Sequence, residues 1–304
     1  MTAPFPDRLA ALVEERRSQV VLGLDPDPAA LWPAALEADA EPDGAVAERT
    51  ARAVGLHCRL AIEAAGPACV AVKLQSACFE RLGAPGWRAL TETIAAARDH
   101  GLLAIADVKR GDVPVTARAY AQSLVGETPG PFGPVRGLGA DAFTANPLLG
   151  RDALEPFLNA AVQAGSGCFV LVRTSNPGAA EIQDEPADRP LHDRLAELVD
   201  ELGAGAVGAS GLSAVGAVTG ATRADLLGRL RELMPRAVFL LPGVGAQGGS
   251  VDALGPAFAP HPAGGLIAAS RSIVNAHADR GGDPAASAAA AADELRAAAW
   301  AVAA

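Results

Sequence analysis

Lysine occurs only twice in this chain of 304 residues, at Lys73 and Lys109, against 23 arginines. A guanidinium does not usefully release a proton near neutral pH, whereas an ammonium can be tuned to do so by its surroundings. The two lysines are therefore candidates for places where arginine will not serve. By count alone, chance survival in a lysine-poor chain explains them as well. Lys109 stands out because it lies between two carboxylates, Asp107 and Asp112, in A-D-V-K-R-G-D-V-P-V-T. On a strand, Asp107 and Lys109 point to one side while Val108 points to the other. A lysine held by carboxylates stays protonated and oriented, ready to deliver a proton to a carbanion. D-x-K by itself reads equally as a strand-end salt bridge, with Asp112 capping the next helix. The longer pattern, D-x-K-x-x-D-x-x-x-T through Thr116, is a more specific signal.

A second set of residues suits an anion. In L-P-G-V-G-A-Q-G-G the glycines can expose backbone N–H groups and Gln247 can donate an amide. In A-A-S-R-S-I-V, Arg271 can pair with phosphate through two parallel hydrogen bonds. Three more positions are weaker in isolation. Asp25, in G-L-D-P, could hold ribose hydroxyls, although Asp-Pro is also an ordinary turn. Ser175, in R-T-S-N-P-G-A, could contact a base edge, although S-N-P-G is also a turn. Lys73, in A-V-K-L-Q, could join the charged array.

These residues share one placement. Short apolar runs are predicted as strands at 19–24, 69–74, 103–108, 140–145, 167–172, 214–219, 237–241 and 265–269. Helical patterns lie between them at 47–65, 86–100, 115–125, 152–164, 191–202, 223–233 and 284–303. Eight alternating units favour a (β/α)8 TIM barrel, an α/β fold, over an open doubly wound sheet. The dinucleotide fingerprint is absent after the first run, which ends in G-L-D-P-D-P. All five sites fall at C-terminal strand ends, where barrel enzymes hold their active sites, with Asp112 and Thr116 following around the start of the next helix, and loops seven and eight are the usual phosphate position. A single domain over residues 1–304 is expected, with an extended loop at about 26–43 and an irregular insertion at about 128–139.

Bulk properties exclude several function classes. A net charge of −10 argues against a nucleic-acid surface. Cys58, Cys69, Cys78 and Cys168 form no CxxC pair, so reduced thiols in a cytoplasmic protein are expected. The scattered histidines offer no metal-ligand set, and neither a signal peptide nor a membrane-spanning run is visible.

The six motifs, in this order and over essentially the whole chain, resemble the orotidine 5′-phosphate decarboxylase family. R-G-D-V-P-V-T and the long first loop look like its larger bacterial branch. The resemblance implies a homodimeric (β/α)8 barrel that converts orotidine 5′-monophosphate to UMP and CO2 without metal or organic cofactor. It implies a charged network of Lys73, Asp107, Lys109 and Asp112, with Lys109 as proton donor to C6. It also implies that Asp112 and Thr116 act in the partner's site. Asp25 would hold the ribose, Ser175 the pyrimidine, and Gln247 with Arg271 the phosphate. Two residues depart from the family pattern: Ser270, where glycine is usual, and Asn176, where many members have histidine. Two alternatives remain open on the residues. One is metal-dependent chemistry on a sugar phosphate, which would want a carboxylate where Lys73 stands. The other is a non-catalytic nucleotide-binding protein on the same scaffold.

Overall fold

The computed structural model describes residues 3–37, 44–245 and 248–303. Eight parallel strands close into a barrel. They are strand one Val20–Leu24, strand two Ala71–Gln75, strand three Leu103–Arg110 and strand four Ala142–Ala145. Strand five is Gly167–Arg173, strand six Ser213–Thr219, strand seven Ala237–Pro242 and strand eight Gly265–Ala269. Each pairs with its sequence neighbours, and strand eight closes onto strand one with Val20 beside Ile267 and Val21 beside Ala268. All eight expected strands are present, within two residues at every end. The helices Val46–Ala65, Ala84–Asp99, Pro114–Leu124, Arg151–Gln163, Leu191–Gly203 and Pro284–Ala303 also lie where periodicity puts them.

The strand sequences are nearly continuous apolar runs because both faces are covered, one by the barrel interior and one by helices. Alanine sets how close the outer layer comes. Ala51, Ala61 and Ala65 of one helix and Ala89 and Ala97 of the next are buried in one cluster with Val20, Leu22, Val72 and Leu74. Small side chains there let two helices and two strands approach closely.

The helix Phe5–Arg16 was not among the expected elements. Its Phe5, Leu9 and Val13 are buried with Val21, Val70, Ile105, Phe169 and Leu240, so it plugs the N-terminal end of the barrel. Phe5 meets Phe169 edge-on at 5.9 Å between ring centroids. Arg16 then ties the plug down, donating to the carbonyls of Gly66 at 3.1 Å, Cys69 at 2.6 Å and Gly101 at 3.0 Å. With that end filled, the C-terminal end is the open one.

Three other expectations need correction. The insertion at 128–139 is not wholly irregular, since Glu127–Thr128 pairs antiparallel with Val135–Arg136. The stretch at 223–233 is not one helix, because Arg223 has φ −123° and ψ 52° inside a 3-10 segment that precedes Leu227–Leu233. Strand three runs on to Arg110, past the expected end at Val108. Within the extended first loop, Pro33–Glu37 forms a short helix, and residues 38–43 lie outside the described residues. Cys58, Cys69 and Cys168 are buried free thiols and Cys78 is half-buried. Among the described residues no helix is long and apolar enough to cross a membrane.

Candidate active site

Strand three supplies the centre of the site through an irregularity. Ala106 pairs with Phe143 of strand four, yet the next paired residue is Arg110, opposite Ala145. Asp107, Val108 and Lys109 are therefore faced by Thr144 alone. Such a bulge re-aims side chains at the rim of a barrel. Lys109 takes φ 45°, in the left-handed region, which a non-glycine residue occupies only at some cost. Val108 is buried against the helix Pro114–Leu124, so Asp107 and Lys109 face inward as the alternation predicts.

Four charged groups alternate in sign across the mouth. Lys73 Nζ donates to Asp107 Oδ2 at 2.8 Å and stands 3.7 Å from Asp25 Oδ1. Lys109 Nζ donates to Asp107 Oδ1 at 2.6 Å. Two neutral groups complete the shell of Asp107. Thr144 Oγ1 donates to Oδ1 at 2.9 Å. Gln75, with its amide nitrogen turned inward, donates to Oδ2 at 2.8 Å and to the Asp107 carbonyl at 3.2 Å. The inner pair is dry, at 11% side-chain exposure for Lys73 and 8% for Asp107, whereas Lys109 is 42% exposed and faces the opening.

Burial works against the charge on Asp107, but the ammonium groups of Lys73 and Lys109 outweigh it and hold the carboxyl at about 2. Burial likewise works against the charge on Lys73, and Asp107 with Asp25 overcomes it, raising that ammonium above its usual range. Both inner groups are thus ionised at neutral pH. The arrangement presents one oriented, solvent-facing ammonium on a fixed carboxylate.

These groups line a cavity of about 340 Å³, at the small end of ligand pockets. Its opposite wall comes from the ends of strands seven and eight: Gly243, Val244, Ser270 and Arg271. Gly243 and Gly245 have φ 102° and 73°, so the loop after strand seven turns on residues that need no Cβ. Among the described residues the Arg271 guanidinium is exposed and has no ion-pair partner, free to meet an anion. Gln247 lies outside the described residues.

The other predicted residues fall elsewhere. Ser175 is half-buried at the end of strand five, across the ring from strand one, and is not part of the cavity lining. Its carbonyl accepts from Thr222 Oγ1 at 3.4 Å, and Gly220 presses so close that a Cβ there would lie 2.9 Å from Ser175 Cα. Asn176 Oδ1 accepts from Thr174 Oγ1 at 2.7 Å. Asp112 and Thr116 stand outside the cavity, Asp112 half-buried and Thr116 exposed. The helix is capped at Val113 rather than Asp112, whose Oδ1 accepts from Val113 N at 2.8 Å. The reason is Pro114, which opens the helix and holds Val113 extended.

Sequence reasoning passed over Gln75 and Thr144. Gln75 carried a signal, since it lies two residues past Lys73 on the same strand face. Thr144 carried none, because its role depends on how strand four registers against a bulge 37 residues earlier. Among the described residues no three His, Cys, Asp or Glu side chains are grouped to hold a metal ion.

Comparison with known proteins identifies the family. The orotidine 5′-phosphate decarboxylase / HUMPS family matches residues 18–290. An orotidine 5′-phosphate decarboxylase of Roseiflexus castenholzii is 38% identical over 295 residues, 96% of each chain. One from Rhodopirellula baltica is 44% identical over 207 residues, 68% of each chain. The solved OMP decarboxylase of Leishmania donovani superposes with a TM-score of 0.70 at 32% identity, covering 97% of this chain and 98% of that one. By sequence and by fold, this chain belongs to the orotidine 5′-phosphate decarboxylase / HUMPS family.

Proposed function

We propose that the protein decarboxylates orotidine 5′-monophosphate to UMP, the last step of de novo pyrimidine nucleotide synthesis. The observation that supports this most is the Asp25–Lys73–Asp107–Lys109 array, with its one exposed ammonium at Lys109. The C6–carboxyl bond breaks, CO2 leaves, the electron pair stays on C6, and Lys109 Nζ passes a proton to it. As charge moves from the departing carboxylate toward C6, the fixed ammonium gains in attraction, which lowers the barrier. Each tenfold in rate takes about 1.4 kcal/mol. A single contact is therefore too small for a large acceleration, and phosphate and ribose contacts that exclude water supply the rest.

Arg271 and Gln247 hold the phosphate, Asp25 the ribose and Ser175 the pyrimidine. The reaction runs on side chains alone, without metal or cofactor. Lys73 already bridges Asp25 and Asp107 with a cation belonging to the chain, which favours this over the metal-dependent alternative. The working form is a cytoplasmic single-domain homodimer in which Asp112 and Thr116 complete the partner's site. Val113 and Val115 support this reading, since both are apolar and exposed next to those two residues in the chain.

The test is a UV assay of purified protein with orotidine 5′-monophosphate in excess EDTA. Loss of substrate absorbance with UMP formed is expected, and Lys109→Ala should abolish turnover while the fold survives. No turnover by folded protein, or near-normal turnover by the variant, would overturn the activity or the role of Lys109 respectively.

A further inference from the structure

The buried hydroxyl of Thr144 touches both Asp107 and Lys109, and it does so where the sheet is broken. Ladder pairing between strands three and four stops at Ala106 and Phe143 and resumes at Arg110 and Ala145. Beyond the gap Asn146 N donates to Arg110 O at 2.8 Å. Inside the gap the backbone N–H of Lys109 has no ladder carbonyl and donates instead to Thr144 Oγ1 at 2.8 Å. That contact fixes the direction of the next one. A hydroxyl has one proton; having accepted from Lys109 N, Thr144 directs its own proton to Asp107 Oδ1, 2.9 Å away.

We infer that Thr144 is a positioning residue for Lys109 and Asp107, and that its hydroxyl substitutes for the missing ladder bond. It holds Lys109 in its left-handed backbone, at φ 45°. It also fills the last acceptor site on Oδ1, which already takes Lys109 Nζ. With Lys73 and Gln75 on Oδ2, the carboxylate has a donor in each of its directions and cannot rotate. The ammonium hung from it is held equally still. Thr144 is 1% exposed, out of reach of substrate, so it acts only through these two neighbours.

The inference rests on the reading of Lys109 as proton donor, so the experiment includes Lys109→Ala. The other variants are Thr144→Val, which keeps the shape and removes the hydroxyl, Thr144→Ala as a smaller alternative should the first not fold, and Thr144→Ser. For each, kcat and KM for orotidine 5′-monophosphate are measured together with the affinity for UMP. Without the hydroxyl, kcat should fall by about tenfold to a hundredfold, the scale of a misplaced reacting group. KM and UMP affinity should stay within about threefold, because the binding contacts are untouched. Thr144→Ser should recover most of kcat.

Turnover retained in Lys109→Ala would overturn the donor reading and this inference with it. If Lys109→Ala is dead, three outcomes overturn the inference alone. These are a kcat within about twofold of wild type in the hydroxyl-free variants, a parallel loss of UMP binding, and failure of serine to restore kcat.

Discussion

Gly23 and Ser270 face each other across the seam between strands one and eight, so closely that a Cβ on Gly23 would lie 2.7 Å from Ser270 Cβ. They sit one step past the paired residues Leu22 and Ala269. Serine is tolerated at position 270 because the opposing residue has no side chain. Gly23→Ala should overpack this seam at a cost of about 1–3 kcal/mol. It should also raise KM, since Arg271 follows Ser270 directly. Adding Ser270→Gly removes the closest clash and should restore much of both. Thermal midpoints and KM for the two variants check this; no recovery in the double variant would refute the steric account.

Asp107 ties stability to acid pH. Its carboxyl titrates at about 2 in the fold, against 3.8 for an unperturbed group. The unfolded chain therefore takes up the proton first as pH falls, and the stabilisation, complete above about pH 4, drains away toward pH 2. The amount is about 2 kcal/mol. Asp107→Asn should lack this part of the acid decline. At pH 7 it should be less stable by about 3 kcal/mol, because Lys73 is left buried beside a neutral amide. Urea denaturation across pH 2–7 measures both, and parallel curves for the two proteins would refute the assignment.

His57 acts in a higher window. Burial, and then the nearby His277, push it down to about 4 from 6.5. Its Nδ1 accepts from Trp32 N at 3.1 Å, and Trp32 Nε1 donates to Val274 O at 3.0 Å. Through Trp32 the loop after strand one is stapled to the segment just past Arg271. Below pH about 6.5 the unfolded chain protonates while the fold resists, so stability falls until about pH 4, by about 3 kcal/mol in all. His57→Gln, which can still accept from Trp32 N, should flatten that limb. An unchanged slope between pH 4 and 6.5 would show that other groups carry it.

Asp184 joins the loops after strands five and six. Its carboxylate takes two parallel hydrogen bonds from Arg173, at 2.7 and 3.1 Å, and one from Arg223 at 2.9 Å. The two cations differ in burial, at 5% side-chain exposure for Arg173 and 35% for Arg223. Asp184→Ala strands a buried guanidinium and should cost about 3–5 kcal/mol. Arg223→Ala breaks the exposed arm only and should cost less than about 1 kcal/mol. Equal losses in urea denaturation would contradict this ranking. Because Thr174, beside Ser175, donates its N–H to Gln183 Oε1 at 2.8 Å, Asp184→Ala should also loosen the Ser175 loop.

Chemistry and its address were legible in the sequence. Two lysines among many arginines, carboxylates flanking Lys109, a glycine-rich loop after the seventh run and an arginine after the eighth are local features. Period-two alternation is enough to put Asp107 and Lys109 on one side of their strand. The eight apolar runs, doubly buried and separated by helical spacing, determined the barrel for the same reason. Partnership across strands was decided by tertiary structure. The bulge at 107–109, the hydroxyl of Thr144 inside it, the Arg173–Asp184–Arg223 bridge and the contact of Gly23 with Ser270 each join residues far apart in the chain. Register and loop packing bring them together, and no local periodicity encodes either. The plug formed by Phe5–Arg16 belongs with these, since its apolar face gains meaning only when the floor of a closed barrel exists to receive it.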